Sequence, residues 1–81
     1  MDAERHRRRR TLEELRAPMV GRIIEVLVEE GAPVEEEDEV LLLESMKMQI
    51  PITAPRTATV SEVRVKAGDT VQEGDVLLVL D

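Results

Sequence analysis

The chain has 81 residues, no cysteine, no aromatic residue and a formal net charge of −7 at pH 7. Disulfides and thiolate metal centres are therefore excluded, and the core must come from Val, Leu, Ile, Met and Ala, whose β-branched members favour strands. The length fits one domain near the lower limit for an independent core, with a net stability of about 3–5 kcal/mol.

The charge is unevenly placed. Residues 1–10 carry five Arg against Asp2 and Glu4, which leaves about −10 for residues 11–81. An acidic body lacks the cationic surface that phosphate neutralisation needs, so no nucleic-acid binding is expected of the folded part. No apolar stretch approaches the roughly 20 residues required to cross a bilayer, and no hydrophobic segment follows the basic run as in a secretory signal. The expectation is a cytoplasmic protein that does not enter membranes.

Met1–Arg10 is almost free of apolar side chains, and Arg7–Arg10 repel one another, so residues 1–15 read as a basic, disordered arm before a folded domain over 16–81. A basic patch for RNA or an acidic partner is the functional alternative for Arg5–Arg10, although no aromatic residue is interleaved for base stacking. His6 has no partner in the arm for catalytic or metal chemistry. Thr11 and Glu14 have capping-box spacing, but Pro18 limits any helix over Thr11–Arg16 to about one turn.

From Ala17 onward the sequence reads twice. Ala17–Glu44 aligns with Ala54–Asp81 at a constant offset of 37 residues, without a gap and with eleven of twenty-eight positions identical. Two copies are too few for a solenoid and suit two halves sharing one core about a pseudo-two-fold axis. Each half opens with an alternating strand, Ile24, Val26 and Val28 or Val63 and Val65. A glycine turn follows at Gly31 or Gly68, then Val34 or Val71, an acidic turn, and a continuous apolar strand, Val40–Leu43 or Val76–Leu80. Pro18, Pro33, Pro51 and Pro55 fall at strand ends or edges, where a missing N–H is tolerated. The prediction is an all-β sandwich or flattened barrel.

Lys47 lies between the halves, in Glu44-Ser45-Met46-Lys47-Met48. Apolar runs on both sides, Val40–Leu43 and Ile50 with Ile52, make Ser45–Met48 the turn of a β-hairpin. Met-Lys is poor chemistry for a turn that needs positive φ at both central positions, and such departures from local preference gather at functional sites. The two methionines are expected to cover apolar surface beside the turn and to offer a soft recognition surface. The plainer alternative is a solvated lysine beside core methionines.

Glu44-Ser45-Met46-Lys47-Met48, centred in the repeat, resembles the attachment motif of biotinyl/lipoyl domains, Glu-Ala/Ser-Met-Lys-Met in that family. The resemblance runs from about Arg16 to Asp81 and includes Ala17-Pro18-Met19-Val20-Gly21 and the turn Gly68–Asp75. Short stand-alone members, biotin carboxyl carrier subunits among them, look most similar, and Met48-Gln49-Ile50-Pro51-Ile52 resembles their continuation after the lysine. The resemblance implies a barrel-sandwich hybrid of two small antiparallel sheets related by a pseudo-dyad. In it Lys47 would carry covalent biotin, Met46 and Met48 would flank it for ligase recognition, Ser45 would complete the motif, and Glu44, Gly68 and Gly74 would serve the framework. Glu37 departs from the pattern where the second half has Gly74, Ala58 replaces a usual glycine, and Ala32-Pro33 replaces a usual Gly-Asp continuation. The short path from Gly21 to Gly31 has no room for the extra thumb loop of some carboxyl carriers.

Such a protein is a carrier and not itself an enzyme. An ε-amine in water is almost wholly protonated at pH 7, so a biotin protein ligase must deprotonate it and hold it against activated biotin. A rigid hairpin presents one lysine for this better than a loose loop, and Lys66, the only other lysine, lacks flanking methionines. The tether would then carry a carboxyl group from a biotin carboxylase to a carboxyltransferase, at high effective concentration for both. No metal is required. The acidic run Glu35–Glu39 has the oxygens of a hard-cation site, but equally those of a solvated turn or of a face for a basic ligase surface. Two other readings stand beside the biotin carrier: a lipoyl carrier of the same fold, which more often has Asp before the lysine and Ala or Val after it, and an unmodified interaction module.

Overall fold

The period-two runs become strands, and no helix forms among the described residues. The computed structural model describes residues 12–81; the arginine run, His6 and Thr11 lie outside the described residues. The strands are β1 (Glu13–Arg16), β2 (Gly21–Val26), β3 (Pro33–Val34), β4 (Glu39–Ser45), β5 (Met48–Thr53), β6 (Ala58–Val63), β7 (Thr70–Val71) and β8 (Val76–Leu80). They form two four-stranded sheets, ordered β1-β8-β6-β3 and β5-β4-β2-β7, in which every pairing is antiparallel. This is the expected all-β architecture of two small sheets. β2 leads into β3 through residues 27–32 alone, with no inserted loop.

The repeat is written into the backbone as paired hydrogen bonds. Ala17 N donates to Asp75 O at 2.8 Å, and Ala54 N to Asp38 O at 2.8 Å. Gly68 N donates to Ile23 O at 2.8 Å, and Gly31 N to Val60 O at 2.8 Å. Leu27 N donates to Val40 O and Arg64 N to Leu77 O, each at 2.9 Å. Every such pair obeys the 37-residue offset and crosses from one half to the other or closes equivalent loops. The two Asp residues shared by the halves act alike, since Asp38 Oδ2 accepts from Glu35 N at 2.9 Å and Asp75 Oδ2 from Gln72 N at 2.8 Å. Each side chain thus satisfies a turn N–H that the backbone leaves unpaired.

The buried core follows the same symmetry. Ala17 and Ala54, Ile23 and Val60, Val34 and Val71, Val40 and Leu77, Leu41 and Leu78, and Leu43 and Leu80 are all buried mates at the repeat offset. The first strand corrects the expected alternation. Ile23 is 0% exposed, whereas Ile24 is only partly buried, because the pairing with β4 skips a residue between Ile23 and Glu25. An equivalent skip lies between Val60 and Glu62. A bulge reverses which face a residue occupies, so strict period-two counting from Val26 assigns Ile24 to the wrong side.

The sheet also starts earlier than the expected arm boundary. Glu13–Arg16 is a strand and not part of a helical turn or a disordered arm. It pairs with β8 through Glu13 opposite Leu80 and Leu15 opposite Leu78. Leu15 packs on the core, and the Glu13 carboxylate accepts from Arg56 Nε at 2.9 Å. At the repeat offset β1 falls on β5, with Leu15 in the place of Ile52. The structural repeat therefore extends beyond the residues whose identity revealed it.

Candidate functional site: the lysine hairpin

Among the described residues β4 and β5 form the longest pairing, from Glu39 opposite Thr53 to Ser45 opposite Met48, with one shift of register between Glu39 and Leu41. Leu41 and Leu43 on β4 and Ile52 on β5 are buried and fix this hairpin to the core, and Ser45, 7% exposed, is the last buried residue before the turn. Only Met46 and Lys47 then connect the strands. Their φ values are +54° and +66°, so both central residues are left-handed, as a two-residue turn of type I′ requires. The unfavourable turn chemistry noted in the sequence is thus adopted in full. Neither residue is Gly, Asn or Asp, and a left-handed conformation costs roughly 1–2 kcal/mol for an ordinary residue.

The turn places every expected motif residue at one end of the sandwich. Lys47 is exposed and, among the described residues, joins no ion pair. Met46 is 89% exposed and Met48 60%. This corrects the expectation that the methionines cover apolar surface beside the turn. They lie beyond the last buried residue, Ser45, and project into solvent on either side of the lysine. Glu44 is half-buried and sits between Arg22 on β2 and Gln49 on β5. The lysine is free and the scaffold beneath it is fixed.

One supporting residue escaped the motif. Gly21 begins β2 beside Glu44, and a Cβ built on it would stand 2.6 Å from the Glu44 carbonyl oxygen and 2.9 Å from a Leu43 methyl group. The absence of a side chain lets β2 close on the base of the hairpin. The signal in the sequence was the break in the repeat: Gly21 faces Ala58 at the repeat offset, where a Cβ is accepted.

Other candidates separate from this end. Lys66 is exposed too, but it lies in the connection between β6 and β7, its N–H bonded to Asp69 Oδ2 at 3.0 Å. Gly68 and Gly74 hold positive φ in turns of the second half, away from the motif itself. Glu35–Glu39 are all exposed, and among the described residues no group of three or more His, Asp or Glu converges as a metal site. The chemistry available at the hairpin is that of a primary amine offered on a rigid tip, open to acylation.

Comparison with known proteins agrees with this geometry. The biotin/lipoyl family model, described as biotin-requiring enzyme, matches residues 13–80. Over 42 residues the chain is 50% identical to the biotinylated protein TB7.3 of Mycobacterium bovis, covering 52% of this chain and 59% of that protein. It is 51% identical over 39 residues to the biotin carboxyl carrier protein of acetyl-CoA carboxylase from Solanum lycopersicum, covering 48% of this chain and 56% of that one. Among solved structures, a single-chain, multi-domain long-chain acyl-CoA carboxylase superposes with a TM-score of 0.81 at 38% identity, over 85% of this chain and 7% of that one. The matches thus span little more than half of either relative and a small part of the carboxylase. With the family matched from Glu13 to Leu80, the chain belongs to the biotin/lipoyl family.

Proposed function

We propose that this chain is the biotin carrier of a biotin-dependent carboxylase and that biotin is joined by an amide to Lys47 Nζ. The observation that carries the reading is the exposed amine on a two-residue, doubly left-handed turn between two exposed methionines. The names of the relatives support biotin in preference to lipoic acid, and so do methionines on both sides of the lysine. The residues present fit the group: covalent attachment needs one accessible nucleophile and no enclosed pocket.

In the attachment step a biotin protein ligase, supplied with ATP in the cytoplasm, holds the carboxyl-activated vitamin against Lys47. Nζ gives up one proton to become a neutral amine, and its lone pair forms the new C–N bond at the carbonyl of the biotinyl adenylate. AMP leaves with the electron pair of the broken C–O bond, and the nitrogen loses a second proton to the ligase or to water to give the amide. Met46 and Met48 give the ligase polarizable contacts on either side of the nucleophile. β4 and β5 hold the amine in one place, which reduces the entropy lost on docking. Once bound, biotin supplies a ureido nitrogen that carries a carboxyl group from a biotin carboxylase to a carboxyltransferase. This chain contributes the tether and the scaffold, and the two partner enzymes contribute the catalysis.

Incubation with biotin protein ligase, biotin and ATP, followed by intact mass and peptide mapping, tests the reading. The wild-type chain gains one biotinyl group on Lys47, Lys66→Arg gains the same, and Lys47→Arg gains none. An unmodified wild-type chain, or a label on Lys66, would sink it.

A further inference from the structure

Few large apolar side chains are exposed: Leu12, Met19, Val20, Leu27, Met46 and Met48 among the described residues. Four of them share one end of the molecule. Arg22 lies opposite Glu44 in the β2–β4 pairing, and Gly21 abuts the Glu44 carbonyl. Met19 and Val20 lead directly into Gly21, and the antiparallel β2–β4 register, carried two residues beyond Arg22 and Glu44, runs from Val20 toward Met46, so both lie on the chain at the hairpin's end of β2. Val20 is 53% exposed and Met19 36%, next to Met46 at 89% and Met48 at 60%. Leu27 leaves β2 at its other end, where its N–H meets Val40 O, roughly 20 Å along β4 from the lysine.

An apolar cluster held in water around a single amine marks a surface that another protein covers. We infer that Met19 and Val20 join Met46 and Met48 in one continuous docking surface for the biotin ligase. The inference rests on the reading above that Lys47 is the biotinylated residue. The tether decides between the possible occupants. Carboxylase and carboxyltransferase meet the ureido ring at the far end of the lysyl and valeryl chains, and can act without touching the protein surface beside Lys47. The ligase alone forms a bond to Nζ itself, so its active-site mouth must close over the neighbouring residues. Its complementary surface is an apolar rim around that mouth, wide enough to cover the β1–β2 loop as well as the hairpin.

The test measures initial rates of biotinylation by purified biotin ligase against concentration of the full chain. The Met19→Ser/Val20→Ser double variant is expected to raise KM for the carrier about tenfold, the loss that follows from one buried aliphatic side chain, with kcat within about twofold of wild type. Leu27→Ser, an equally simple loss of exposed apolar surface at the far end, keeps the wild-type KM. Met19→Leu/Val20→Ile, which preserves apolar surface, restores it. An unchanged KM in the double variant, or an equal rise in Leu27→Ser, overturns the inference. Urea unfolding accompanies each assay. If the double variant no longer unfolds cooperatively, Val20→Thr decides through its matching shape: a KM about threefold higher supports the docking role, and an unaltered one overturns it. Failure of the wild-type chain to accept biotin is a separate outcome, which removes the reading of Lys47 and this inference with it.

Discussion

Glu37 and Gly74 occupy one position in the two halves, and both are left-handed, with φ of +73° and +91°. Each sends its N–H across to the other strand system, Glu37 to Ala54 O at 2.7 Å and Gly74 to Ala17 O at 2.9 Å. The aspartate that follows caps both turns in the same way. Those hydrogen bonds impose the conformation on whatever residue is present. Glycine adopts it without steric cost, and glutamate adopts it against its preference.

Glu37→Gly is therefore expected to raise stability by about 0.5–1 kcal/mol, the steric relief being partly offset by the extra entropy of glycine in the unfolded chain. Removing one carboxylate from Glu35–Glu39 acts in the same direction. Gly74→Glu should lower stability by about 0.5–1 kcal/mol, the steric cost being partly offset by the smaller entropy of glutamate in the unfolded chain. Urea unfolding of both variants checks the pair, and a lower midpoint for Glu37→Gly than for wild type would show that glycine's entropy outweighs any strain in the turn.

The repeat, the two-sheet architecture and the lysine hairpin were legible because each rested on strong local signals: identical residues at one offset, apolar runs, and a turn between them. β1 was not legible. Its four residues align at the repeat offset with Ile50-Pro51-Ile52-Thr53 without a single identity, and three of the four are charged. Leu15 alone links it to the core, and sheet pairing with β8 supplies the rest. The bulges at Ile24 and Ser61 were hidden because one extra residue changes the face of a strand while leaving its composition unaltered. The exposure of Met46 and Met48 was hidden for a related reason: hydropathy reports what a side chain prefers, and the turn geometry places these two beyond the reach of the core.

The bulge in β2 gives a sharp contrast between adjacent isoleucines. Ile23→Ala removes a side chain that is 0% exposed, and should cost about 2–5 kcal/mol. In a domain of about 3–5 kcal/mol that is enough to populate the unfolded chain at 25 °C. Ile24→Ala, at a partly buried site, should cost about 1 kcal/mol or less. Circular dichroism melts of the two variants decide the matter, and the reverse order would place the strand out of register.

Gly21 should tolerate no side chain. A Cβ at 2.6 Å from a backbone oxygen cannot be relieved by a side-chain rotation, so Gly21→Ala must displace β2 from Glu44. The expected loss is about 1–3 kcal/mol, of the order found for overpacked cores. Because the displaced contact is at the base of the hairpin, the rate of biotinylation should fall with it. Ala58→Gly at the equivalent place should cost only about 0.5–1 kcal/mol, from glycine's backbone entropy. Comparable effects at both positions would remove the special role assigned to Gly21.

Met46 sets stability against recognition. Its φ of +54° suits asparagine, which enters the left-handed region far more readily than methionine, and its side chain has almost no contact with the body of the protein. Met46→Asn should therefore stabilise the fold by about 0.5–1 kcal/mol, because strain is released and no packing is lost. The same variant should be a poorer substrate for the ligase, since it removes an exposed apolar contact next to the nucleophile. Thermal melts and biotinylation rates measured on one preparation would show the two quantities moving in opposite directions. Methionine here would then persist for its recognition by a partner, and a variant that gained stability without losing rate would reduce Met46 to an incidental choice.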